Sequence, residues 1–190
     1  MDTMTPEQRH RCMAAIKAKN TKPELIVRRY LHARGFRFRL NHKRLPGHPD
    51  LVLRKYRTCI FVNGCFWHGH GTTVEGGELL ETSLQHPSSN TNQPTCSFFK
   101  LPKSRTDYWR DKIIRNKTRD VKTQKQLAAM GWHTITVWEC ELKPARRQET
   151  LESLAFTLNR IFLKDHEVRY ADIMELDNDR NMAAEEWNER

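Results

Sequence analysis

The chain has 190 residues, enough for one domain with a sizeable core, and carries a formal net charge of +10. Residues 164–190 hold four Lys/Arg against nine Asp/Glu, which leaves 29 against 14, or +15, on the basic body that precedes them. No apolar run is long enough to span a bilayer and no signal-peptide core is present; five cysteines among nine histidines argue against a secreted disulfide framework and for cytosolic thiols, some of them metal-bound. A basic body with an acidic tail favours a polyanionic partner.

Thr5-Pro6-Glu7 predicts a short helix through about Ala18, with Met13 and Ile16 along one side. Thr21-Lys22-Pro23-Glu24 has capping-box spacing with proline in the first turn, and the helix it opens should stop at Gly35. Phe36, Phe38 and Leu40 alternate with Arg37 and Arg39 as in a half-buried strand. Strands at 50–54 and 58–63 follow as a hairpin turning at Lys55-Tyr56-Arg57. Residues 71–95 are rich in Gly, Ser, Thr, Asn and Gln without periodicity and read as a long surface loop. Thr106-Asp107 should cap a long basic helix ending before Gly131, and His133 to Trp138 is a strand. Leu151, Leu154, Leu158, Ile161 and Phe162 mark a last amphipathic helix, beyond which lies the acidic tail. Strands flanked by helices, with one hairpin, predict an α/β sandwich around a mixed sheet.

The chemistry-bearing residues cluster. Leu45-Pro46-Gly47-His48-Pro49-Asp50 places a carboxylate at the mouth of one strand, suited to a hard cation. The next strand ends in Asn63-Gly64-Cys65-Phe66-Trp67-His68-Gly69-His70, which supplies a thiol, two aromatics and two imidazoles. Cys65, His70, Cys96 and Cys140 are ligand types for structural zinc, but their spacing is not that of a zinc finger, so scattered buried cysteines remain an equal reading. With two imidazoles so close in the chain, one can bind metal while the other, facing elsewhere, takes a proton from water. Glu24 has two readings: it can close the capping box, or, three and seven positions before Val27 and Leu31, it can aim inward at a metal-bound water.

In their order, Met13-Ala14-Ala15-Ile16, Leu45-Pro46-Gly47, Gly64-Cys65-Phe66-Trp67-His68, Ser104-Arg105-Thr106, Tyr108-Trp109 and Val137-Trp138-Glu139-Cys140 resemble the very short patch repair (Vsr) DNA mismatch endonucleases, from about Met4 to Leu142. The resemblance implies a restriction-endonuclease-like fold, the endonuclease domain being expected over residues 1–163; composition makes 71–95 an inserted loop and 164–190 an acidic tail. It implies a magnesium-dependent, strand-specific enzyme, nicking 5′ of thymine in a T·G mispair left by deamination of 5-methylcytosine. Asp50 would hold magnesium with the main-chain carbonyl of Val62, His68 would be the general base, and Glu24 would stand near the centre. Cys65, His70, Cys96 and Cys140 would hold zinc, although here Cys96 arrives only after the insertion. A histidine often precedes the Gly-Cys pair in this family; this chain has Asn63, which can orient water but cannot titrate near neutral pH. Phe66, Trp67 and Trp109 would wedge open the duplex beside the mismatch. Arg105, Arg110, Lys112, Arg115, Lys117 and Arg119, with Arg37 and Arg39, would contact phosphates. Expected partners are double-stranded DNA and mismatch-repair proteins, acting on a cytoplasmic monomer. The alternatives are a related zinc-containing nuclease of other specificity and a DNA-binding module without catalysis.

Overall fold

A computed structural model describes residues 5–15, 17, 19–81, 83–84, 93–94 and 96–188. Its helices are α1 (Pro6–Ala14), α2 (Lys22–Ala33), α3 (Thr106–Ala129) and α4 (Pro144–Asn188). Its strands are β1 (Arg39–Leu40), β2 (Leu51–Leu53), β3 (Thr58–Asn63), β4 (Thr72–Glu75), β5 (Glu78–Glu81), β6 (Ser83–Leu84), β7 (Gln93–Pro94) and β8 (His133–Trp138). The central sheet has the order β1-β2-β3-β8. β1–β2 and β2–β3 are antiparallel, while β3–β8 is parallel, in register from Thr58↔His133 to Asn63↔Trp138. The sheet is mixed, as the hairpin predicts, and Arg57 closes that hairpin at φ +42° after a single 3₁₀ turn.

Side-chain alternation splits the sheet into two packed faces. Leu51, Leu53 and Ile60 meet Val27 and Leu31 of α2 and Leu151, Leu154 and Leu158 of α4. Val52 and Cys59 point the other way, onto Leu127 of α3, with Phe61 and Trp132 beside them. This three-layer arrangement leaves the ends of β2 and β3 open between the layers, where the candidate site lies.

Several local expectations change. Both N-terminal helices carry complete capping boxes, Thr5 with Gln8 and Thr21 with Glu24, but α1 ends at Ala14. Ile16 lies outside the described residues. The strand expected over 36–40 shrinks to two residues, because β2 offers only a short edge to pair with. Phe36 turns into the core instead, and Leu40 is 44% exposed. Arg105, not a threonine side chain, occupies the cap of α3, in a left-handed conformation at φ +54°. The Thr106 hydroxyl donates back to the carbonyls of Pro102 and Lys103. Within 71–95 the described residues form two hairpins, β4–β5 and β6–β7, where a loop is expected. Leu79 of the first packs against the cluster of Cys65, Cys96, Phe99 and Ile113. The last helix does not stop near Phe162 but continues as one α4 through Asn188.

Candidate active centre and metal-binding cluster

Three segments build a compact soft-ligand cluster. Cys65 leads the tight turn after β3, His70 ends that turn, Cys96 follows the insertion, and Cys140 sits in the 3₁₀ turn after β8. One ligand atom from each lies within 4.8 Å of the other three. Sulfur-to-metal bonds of about 2.3 Å put tetrahedral ligands about 3.8 Å apart, inside that limit, so three thiols and one imidazole fit a closed four-coordinate ion. His70 Nδ1 is 3.6 Å from Cys65 Sγ and 3.3 Å from Cys140 Sγ, and its ring stacks on Trp138 at 4.0 Å and 9°. A hydrogen bond from the Cys65 thiol holds the Cys140 thiol down to about 4, with His70 helping. The same proton pushes Cys65 up. Cys59 stays outside the cluster in the core, where burial pushes its thiol up to about 12 and leaves it inert.

The second centre is a cavity of about 700 Å³ at the open ends of β2 and β3, on whose wall Glu24, Asp50, Val62, Asn63, Trp67 and His68 all stand. Asp50 accepts the Val62 N–H at 2.8 Å. Burial pushes its carboxyl above the ordinary range; Val62 N–H, Arg28 and His68 pull it down, and Glu24 adds to the rise. A half-buried carboxylate beside a second acid is a suitable hard-ligand site, with room for the waters that magnesium keeps.

Both readings of Glu24 hold in part. Its carboxylate accepts the Thr21 N–H and hydroxyl and the Asn20 N–H, completing the cap. It is also buried, and its ionic partner is Arg28 at 2.5 Å, one turn along α2. The inward carboxylate thus has a protein partner, with a cavity-facing position left to it.

His68 lies across the cavity, and its Nδ1 is 2.5 Å from Asp120 of α3. An ionised carboxylate only accepts, so in the neutral ring Nδ1 carries the proton and Nε2 keeps a free lone pair. Phe66, Trp67 and Trp109 form an edge-to-face triad, with centroids 5.1–5.9 Å apart. The Lys112 ammonium sits 5.2 Å over Trp67 and 5.3 Å over Trp109. Arg105 is exposed at the start of α3 with its guanidinium 5.1 Å over the Tyr108 ring, apart from the cavity.

Residues 1–73 match the family described as DNA mismatch endonuclease Vsr. The type II nicking enzyme V.XorIIP of Xanthomonas oryzae pv. oryzae is 43% identical over 141 residues, covering 74% of this chain and 86% of the relative. V.NmeAIP of Neisseria meningitidis, also a type II nicking enzyme, is 41% identical over 75% of this chain and 84% of its own length. The DNA mismatch endonuclease Vsr of Escherichia coli is 34% identical over 77% of this chain and 78% of its own length. The chain belongs to the Vsr endonuclease family. Its mixed sheet between helices is accordingly the restriction-endonuclease-like fold, and its activity is that of a Vsr-type DNA endonuclease.

Two participants in this Vsr site escape the sequence motifs. Asp120 is a carboxylate in the middle of a basic helix, 52 positions from His68 in sequence and touching it in space. Asn116, one turn earlier, donates to the Trp67 carbonyl at 2.8 Å, and Lys117 donates to the Gly69 carbonyl at 3.0 Å. The face of α3 expected to bind phosphate is therefore partly committed to holding the Cys65–His70 turn.

Proposed function

We propose that this endonuclease nicks double-stranded DNA on the 5′ side of a thymine mispaired with guanine, with magnesium at Asp50 and zinc at Cys65, His70, Cys96 and Cys140. The observation that carries the reading is one cavity lined jointly by Asp50, Glu24, Asn63, His68 and Trp67, which puts acid, base and aromatic wedge within one strand's reach. Asp50 and the Val62 carbonyl would hold magnesium, which supplies Lewis-acid stabilisation of charge on the phosphate. His68 Nε2 takes the proton of the attacking water, whose oxygen bonds to phosphorus as the ester bond to the leaving oxygen breaks. Asp120 holds the imidazole in the competent tautomer. Asn63 orients water without titrating. Phe66, Trp67 and Trp109 press between bases where a mispair costs least to open.

A second reading is a nick at other sites, favoured by the printed names of relatives such as V.XorIIP, type II nicking enzymes. Labelled duplexes carrying T·G, other mismatches or normal pairs, incubated with and without magnesium, separate the two. Magnesium-dependent nicking confined to the thymine strand of T·G supports the first; nicking of the other duplexes to the same extent supports the second.

A further inference from the structure

Beside the active centre a second cavity, of about 550 Å³, opens at the sheet edge. Arg39, Lys43, Arg44 and Arg54 line it, with His42 and the indole of Trp132, and no carboxylate is among its walls. Among the described residues none of these four cations has an ion-pair partner. His42 Nδ1 is buried there without a hydrogen-bond partner. Four like charges around one hollow repel each other, and a polyanion relieves that repulsion while releasing its own counterions.

The cleft adjoins the catalytic cavity. Lys43 stands on both walls, and the turn from Asn41 to Gly47 separates the two hollows. They share a floor: Phe61 of the catalytic cavity packs in the same apolar cluster as Leu45, Val52 and Trp132 of the cleft. That cluster rests on Leu127 of α3, so the two hollows keep a fixed relation.

We propose that this cleft binds backbone phosphates of the DNA that passes through the active centre, extending the footprint past Lys43 to Arg39, Arg44 and Arg54. The contacts are to phosphate, so they add affinity and register without sequence preference. The proposal rests on the reading of the neighbouring cavity as the site of DNA cleavage. An acidic peptide is the other polyanion the charges would suit, but nothing would then tie the cleft to the catalytic cavity.

The test is the salt dependence of binding to a plain, fully paired duplex, followed by fluorescence anisotropy. Each phosphate contact contributes about 0.9 to the slope of log K against log salt. Arg39→Ala/Arg44→Ala/Arg54→Ala should lower the slope by about 2 to 3, and the corresponding triple Lys variant should keep it. Arg44→Ala alone should lower it by about 1, which keeps the test valid if the triple Ala variant fails to fold. Unchanged slopes in the Ala variants would overturn the proposal, as would a poly-glutamate peptide that occupies the cleft without displacing DNA. Because the probe contains no mismatch, these slopes read the cleft whether or not T·G duplexes are nicked; failure of the mismatch reading would show separately, in the nicking panel.

Discussion

The two centres share the turn that follows β3, one using Cys65 and His70 and the other His68, and they follow opposite designs. The Cys65–His70–Cys96–Cys140 cluster is mostly buried, made of soft donors from distant segments, and already spaced for four-coordination. The Asp50–His68 centre is open, made of hard donors, and each of its groups is held by a neighbour: Asp50 by Val62 N–H, Glu24 by Arg28, His68 by Asp120. A closed site suits holding chain segments together, and an open one suits exchanging water and substrate. On this division, ligand loss in the first should cost stability, and ligand loss in the second should cost rate.

The largest effect should come from Cys96→Ser or Cys140→Ser. Structural zinc contributes on the order of 10 kcal/mol to folding, so either variant should lose metal and most of its folded population. Metal analysis with thermal melting checks this, and full metal content in Cys96→Ser would remove that residue from the set. Asp50→Asn should lower nicking by about 10³-fold or more, the worth of several kcal/mol of charge stabilisation. The same variant should melt higher than wild type in magnesium-free buffer at neutral pH. The sign follows from the raised carboxyl: the folded state keeps its proton where the unfolded chain has lost it, so stability falls as pH rises from the ordinary carboxylate range through the raised value. The amide that replaces the carboxyl does not titrate, so the variant's melting temperature should vary less with pH over that window. A lower melting temperature for Asp50→Asn would show that the aspartate is structural.

His68→Ala should reduce nicking by about 10²-fold or more with zinc retained, and Asp120→Ala should reduce it less. Equal losses would mean that Asp120 does more than orient the ring. The smallest effect tests the seam between the centres and the inserted hairpin: Leu79→Ala should cost about 1–2 kcal/mol of stability and leave the nicking rate per folded molecule unchanged.

Local signals foretell much of this structure, and long-range ones do not. The capping box at Thr21 and the hairpin at Arg57 depend on near neighbours, and both are present. Residue type and resemblance suggest the soft-ligand set, since nothing in spacing joins Cys65 to Cys140. Asp120 cannot be paired with His68 from the chain alone, because a carboxylate on a basic helix reads equally well as solvated. The Arg28 partner of Glu24 is legible at four residues' separation, yet the capping-box spacing already accounts for that glutamate. Polar composition hides β4–β5, although Glu75-Gly76-Gly77-Glu78 carries its turn, with φ of +58° and +87° at the two glycines. The two-residue β1 shows the reverse error: alternation over 36–40 is real, but a strand needs a partner as long as itself.

Gly69 bears on how the proposed wedge would perform. A Cβ there would meet Ile113 Cγ2 at 2.7 Å and Thr72 Oγ1 at 2.9 Å, and φ is +58°. The turn behind Phe66 and Trp67 is therefore seated directly on α3, with Asn116 and Lys117 clasping its carbonyls. A blade set in a compliant mount bends before the material it enters; this one is braced against a helix. Stacked bases would yield first, and the work of parting them would go into the duplex and not into recoil of the protein.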